Sequence, residues 1–112
     1  MDMKVTADGH VQVIALVGRF DAFETAQIVK WFEVNVTDQQ KHVVVDLSGV
    51  GFLDSAALAS LVKGMKRCRE RGGDLVLCNM QQAVRIIFEL TGLDKAFKIV
   101  ETKEGAVSAF AA

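Results

Sequence analysis

The sequence predicts an α/β domain, a mostly parallel sheet that opens with an antiparallel hairpin and is flanked by helices. Three observations predict it. Val43-Val44-Val45, closed by Asp46-Leu47, is a branched apolar run without polar alternation, as expected of a strand covered on both faces. Strand-like and helix-like stretches alternate in the order β-β-α-β-α-β-α-β-α, and helices between successive strands imply parallel pairing through right-handed crossovers. Finally, Asp8-Gly9 separates two strand-like stretches, Lys4 to Ala7 and His10 to Val17, and reads as a type I′ hairpin turn.

In the second strand Val11, Val13, Ala15 and Val17 alternate with Gln12, Ile14 and Leu16, so it starts half-exposed and ends buried on both faces. Gly18-Arg19-Phe20-Asp21 closes it. Asp21 reads as a helix N-cap, with Glu24 three residues on as in a capping box, and the helix runs to about Asp38. Its inner stripe is Ala22, Ala26, Val29, Phe32 and Val36. Ile28 and Trp31 fall off that stripe; they either cover the sheet edge or meet a partner or second copy.

The central strand, entered at Lys41-His42, gives way to a loop containing Gly49 and Gly51. Asp54-Ser55 then precede a helix with Leu58, Leu61, Val62 and Met65 on one face, ending near Arg71 with Gly72-Gly73 as its left-handed cap. Lys63, Lys66, Arg67, Arg69 and Arg71 crowd its later turns. They read either as a solvated face complementing the helix dipole or as a patch for an acidic partner. Asp74 to Cys78 is a short apolar strand, and Asn79 reads as the next N-cap. Val84, Ile87, Phe88 and Thr91 share one face of the helix that Gly92 ends. Phe97 to Val100 is the last strand. Thr102 caps a terminal helix carrying Val107 and Phe110, which Gly105 weakens by ~1 kcal/mol relative to Ala.

The chain has 112 residues, enough for one domain, taken as 1–112. No apolar run approaches the ~18 residues of a membrane helix, and the N-terminus lacks a signal-peptide pattern, so a cytoplasmic protein is expected. Cys68 and Cys78 read as buried free thiols. His10 and His42 read as isolated, with no metal set. A formal net charge of −1 argues against a broad nucleic-acid surface.

Two readings of Ser55 stand on physics alone: a helix cap or a serine tolerated at the first helical position, or a hydroxyl displayed for contact or modification just past a central strand, where sites in open α/β sheets gather. The run Val43 to Val62, VVVDLSGVGFLDSAALASLV, resembles the signature of the STAS domain, in particular of bacterial anti-sigma-factor antagonists. Gly18-Arg19-Phe20-Asp21-Ala22 resembles the family's entry to the first helix, and Leu90-Thr91-Gly92-Leu93 its later turn.

The resemblance implies a chain that binds an anti-sigma factor serine kinase and is released when Ser55 is phosphorylated, with a phosphatase restoring binding. It implies no cofactor in this chain, Mg²⁺ and ATP belonging to the kinase. The implied contact surface holds Ser48, Asp54, Ser55 and Ala57, flanked by Asp21. Where the family often has Ser-Gly, this chain has Ala56-Ala57, and the Ala57 methyl is expected to limit how closely a partner backbone approaches. A second implied role is an accessory subunit that binds a transporter ATPase or signalling complex without a sigma-factor cycle. An enzyme with a Ser55 nucleophile fits least, for there is no Gly-x-Ser-x-Gly elbow and both histidines precede the serine at strand starts.

Overall fold

Val13, Val44 and Val76 stand side by side at the centre of a five-stranded sheet, 4%, 0% and 1% exposed. The computed structural model describes residues 1–110. Its strands are β1 (Asp2–Asp8), β2 (Val11–Phe20), β3 (His42–Leu53), β4 (Asp74–Cys78) and β5 (Lys98–Val100). Its helices are α1 (Thr25–Asn35), α2 (Ser55–Glu70), α3 (Gln82–Thr91) and α4 (Lys103–Ser108), with a 3₁₀ turn over Leu93–Lys95. Strand order in space follows chain order, and only the β1–β2 pair is antiparallel.

Because that order never reverses, right-handed crossovers place α1, α2 and α3 on one face. There Ile14, Val45 and Leu77 pack with Ile28, Phe32, Leu61 and Phe88. On the opposite face α4 sets Ala106 against Val11, Val13, Val44, Val76 and Cys78. Both faces of the Val43–Val45 run are therefore covered, as its lack of alternation predicts.

The hairpin forms, but its two connecting residues are Gly9-His10. Gly9 alone has positive φ, +62°, and a type I′ turn would need it at both positions, so the predicted turn type is corrected. Val17 is 52% exposed, so β2 does not end buried on both faces. The predicted glycine loop is also absent: β3 continues to Leu53, pairing Gly49 with Val17, Phe52 with Arg19 and Leu53 with Phe20 across two register shifts. Gly49 is required there because a Cβ would lie 2.8 Å from Val17 Cγ2 and 2.9 Å from the Leu16 carbonyl oxygen.

The first helix starts at Thr25, later than the sequence suggests. Asp21 does not cap it; its Oδ1 accepts from the Phe23 amide at 3.0 Å in a local turn, and Glu24 lies 3.3 Å from the Met1 nitrogen. The buried stripe is Ile28, Trp31, Phe32 and Val36, spaced i, i+3, i+4 and i+8, while Ala22 and Ala26 are exposed. Ile28 and Trp31 are core residues, not partner contacts.

Helix α2 ends as predicted. Gly72 has φ +83°, its amide donates to the Arg69 carbonyl, and the Gly73 amide donates to that of Cys68, a Schellman cap. The cation cluster is more than a solvated face. Arg67 donates to the carbonyls of Phe32, Glu33 and Val36, closing the C-terminus of α1, which has no basic residue of its own in its last turn. Arg69 bridges Asp74 and the Ala96 carbonyl. Asn79 does not cap α3: it takes φ +56° and donates its side-chain amide to Asp46, while the N-cap is Gln81. Thr102 does cap α4, accepting from the Gly105 amide. His10 and His42 are not isolated; their rings lie 5.2 Å apart, and His42 lies 4.8 Å from the Phe110 ring.

Two outcomes follow from this core. Val44→Asp places an unpaired carboxylate where no water reaches, costing about 3–5 kcal/mol against a domain stability of about 5–15 kcal/mol. Circular-dichroism melts should show it largely unfolded at 37 °C, and a wild-type melting curve would place this strand elsewhere. Burial pushes the thiols of Cys68 and Cys78 up to about 12, so both stay protonated in the folded chain. Unfolded thiols ionise first, so this part of the stability is present below their ordinary value and declines as pH rises toward 12. Ellman's reagent at pH 8 should label neither cysteine natively and both in denaturant; rapid native labelling would contradict their burial.

Candidate functional site

Asp54 follows the last residue of β3 and caps α2. Its Oδ1 accepts from the Ala57 amide at 2.9 Å, and its carbonyl accepts from the Leu58 amide at 3.0 Å. Its Oδ2 accepts from the Ala22 amide at 3.0 Å, and its own amide donates to the Phe20 carbonyl at 3.3 Å. One aspartate thus joins the start of α2 to the end of β2 and to the connection into α1. Ser55 follows as the first residue of α2. It is exposed, and its hydroxyl forms no hydrogen bond among the described residues. The capping function that one reading gave Ser55 is filled by Asp54.

Around this point the structure gathers the rest of the site. Asp21 accepts from the Arg19 Nε at 3.2 Å through Oδ2. The Arg19 guanidinium carbon lies 3.7 Å from the centre of the Phe52 ring, a cation–π contact. Ser48 is exposed on β3; its amide donates to Asp46 Oδ1 at 2.9 Å and its carbonyl accepts from Gln81 Nε2 at 2.8 Å. Asp46, Asn79 and Gln81 together fix the backbone at Ser48.

Four of the five expected contact residues, Asp21, Ser48, Asp54 and Ser55, keep some solvent exposure. Ala57 does not. It is 0% exposed, so its methyl packs into the core and cannot limit a partner's approach, and that expectation is corrected. Sequence reading missed Arg19, Phe23, Phe52 and Gln81. Phe23 was assigned to a helix that starts two residues later, and Phe52 to a loop that is a strand. An aromatic residue between a strand and a helix cap was the available signal.

His42 opens β3 and Asp54 follows its far end, so the histidines lie at the opposite end of the strand from Ser55. Burial is the main cause that lowers the His42 pKa, with His10 and Lys41 adding to it and Asp74 opposing. Among the described residues no group of three or more His, Cys, Asp or Glu is placed to hold a metal ion, and no helix is long and apolar enough to cross a membrane.

The chain resembles known proteins along nearly its whole length. BtrV of Bordetella bronchiseptica, named as a candidate anti-sigma factor antagonist, is 29% identical over 110 residues, covering 96% of this chain and 95% of that one. The anti-sigma-B factor antagonist of Listeria monocytogenes is 26% identical over 99 residues, covering 88% of this chain and 86% of the relative. The structure of an anti-sigma-factor antagonist (STAS) domain protein from Planctomyces limnophilus superposes with a TM-score of 0.88 at 30% identity, covering 100% of both chains. The STAS domain family model matches residues 2–106, and the chain belongs to the STAS domain family.

Proposed function

We propose that this protein is an anti-sigma factor antagonist that binds an anti-sigma factor serine kinase and is released by phosphorylation of Ser55, with a phosphatase returning it to the binding state. The observation that carries the reading is the unengaged Ser55 hydroxyl: it sits at the first position of α2, while Asp54 beside it does the capping. Relatives named as anti-sigma factor antagonists support the same role. A hydroxyl that stabilises nothing is free to be modified.

The charge balance at the site explains how such a switch would act. A phosphate adds about −1.5 to −2 charges near neutral pH. At a helix N-terminus it meets free amides and the positive end of the dipole, so the fold tolerates it. The Asp54 carboxylate opposes it, but that carboxylate already accepts two backbone amides and the phosphate stays in water. In a complex the phosphate must shed its water against a surface shaped for a hydroxyl, a cost that only cations on the partner could offset. Affinity falls while stability holds. With both histidines at the far end of β3, the serine has no imidazole to activate it as a nucleophile, so the proposed role is regulatory.

The test uses a purified anti-sigma serine kinase, with calorimetry and thermal melts. Ser55→Ala should bind and resist phosphorylation, and Ser55→Asp should fold but bind poorly. Stoichiometric phosphate on Ser55→Ala, or wild-type affinity in Ser55→Asp, would move the switch elsewhere. A second comparison isolates the division of labour. Asp54→Ala loses a cap and should cost about 0.5–2 kcal/mol or more, whereas Ser55→Ala should stay within about 0.5 kcal/mol of wild type. Urea melts that reverse this ranking would return the capping role to Ser55.

A further inference from the structure

Phe23 is 93% exposed, the largest exposure of any large apolar side chain described. Single apolar residues on a surface are ordinary, but this one is held in place. Its amide donates to Asp21 Oδ1 at 3.0 Å, and the Ala22 amide before it donates to Asp54 Oδ2 at 3.0 Å. After it, the Glu24 amide donates to the Asp21 carbonyl at 2.9 Å, and Thr25 Oγ1 donates to the Ala22 carbonyl at 3.1 Å. The ring therefore projects from a turn whose backbone is fixed on both sides. Phe23 and Ser55 each follow directly a residue of the Ala22–Asp54 hydrogen bond, so that bond ties the turn carrying the exposed ring to the helix start carrying the exposed hydroxyl.

The rest of that surface tells what it fits. Phe52 is 37% exposed, with Arg19 laid over its ring at 3.7 Å. Arg19 is in turn paired with Asp21 at 3.2 Å. The charges beside Phe23 are matched within the chain, which leaves the aromatic ring as the feature offered outward. A rigid aromatic side chain contributes large contact area at small entropic cost, the property of an interface anchor.

We infer that Phe23 is the anchor of the partner surface: it inserts into an apolar socket on the protein partner that Ser55 controls, with Phe52 and Arg19 at the rim. This inference rests on the switch reading of Ser55. It also deepens that reading, because a phosphate on Ser55 would then lie at the edge of a desolvated apolar contact, where an unpaired charge is most costly.

The experiment titrates the purified serine kinase that phosphorylates Ser55 into wild type, Phe23→Ala, Phe23→Leu and Ser55→Asp. Phe23→Ala should bind on the order of thirtyfold more weakly or worse, as truncated anchors do. Phe23→Leu, which keeps an apolar plug, should recover most of that loss. Thermal midpoints of both should match wild type, because the ring packs on nothing. Phe23→Ala binding within about threefold of wild type overturns the anchor. So does sedimentation showing a wild-type dimer that Phe23→Ala converts to monomer, which would assign the ring to a second copy of this chain. Weak binding by Ser55→Asp together with full binding by Phe23→Ala would sink the anchor alone. Full binding by Ser55→Asp would sink the switch itself, and the anchor with it.

Discussion

The Asp54 carboxylate is the constraint on which the geometry of the site depends. One oxygen accepts an amide of α2 and the other an amide of the β2–α1 connection. Bonds from backbone amides to a charged acceptor are roughly twice as strong as neutral ones. The C-terminal end of β3 is thereby locked to a single side chain, which sets where β2 stops, where α2 starts and where the turn carrying Phe23 is tied. Serine in that place would cap α2 through one oxygen and leave the Ala22 amide without this acceptor. The residue beside Ser55 therefore has a structural task that frees Ser55 from one.

The helical layer behind the site is set by close approach. A Cβ on Gly64 would lie 2.6 Å from the Phe32 ring, so α1 and α2 meet at a point where only glycine fits. Gly64 lies inside a helix, where it costs about 1 kcal/mol relative to alanine; Phe32, 2% exposed, fills the space gained. Arg67 then reaches across to three carbonyls at the end of α1. Packing and a borrowed C-terminal cap together hold α1 against α2, and with it the turn that α1 follows. The same logic appears at Gly73, where a Cβ would overlap the Lys41 carbonyl that leads into β3.

What the sequence made legible was what local chemistry decides. The unbroken valine run, the α2 face, the strand Asp74–Cys78, the glycine caps at Gly72 and Gly92 and the Thr102 cap each rest on residues within a few positions of one another, and each is found. Several misreadings involve partners far away in the chain, while others, such as Asp21, turn on competing local bonds. Gly49 looked like a loop residue because the side chain it must avoid, Val17, lies 32 positions earlier. Asp21 and Glu24 have the spacing of a capping box, yet the Asp21 side chain is held by Arg19 and by the Phe23 amide, and the helix begins later, at Thr25. Asn79 has the chemistry of a cap, but Asp46 on the neighbouring strand draws its side chain away. Ser55 could not be settled by spacing at all, since aspartate and serine are equally good at an N-cap; only the hydrogen bonds show which of the two does it.

The Ala56-Ala57 pair gains a different meaning from these contacts. Ala57 lies with its methyl in the core and its amide on Asp54, so what it alters is the first turn of α2 and not the outer surface. Alanine in place of glycine at a helical position favours the helix by about 1 kcal/mol, which stiffens the turn that carries Ser55. Ala56, partly exposed, lines a shallow groove with Thr25, Val29, Ala59, Ser60 and Lys63, between α1 and α2. A second hydroxyl at that position would face this groove and stand one residue from Ser55. Its absence leaves Ser55 as the one hydroxyl in the first turn of α2. On the proposed reading, a rigid turn and a single free hydroxyl place a modification at Ser55 next to Asp54, whose carboxylate also holds the turn that carries Phe23.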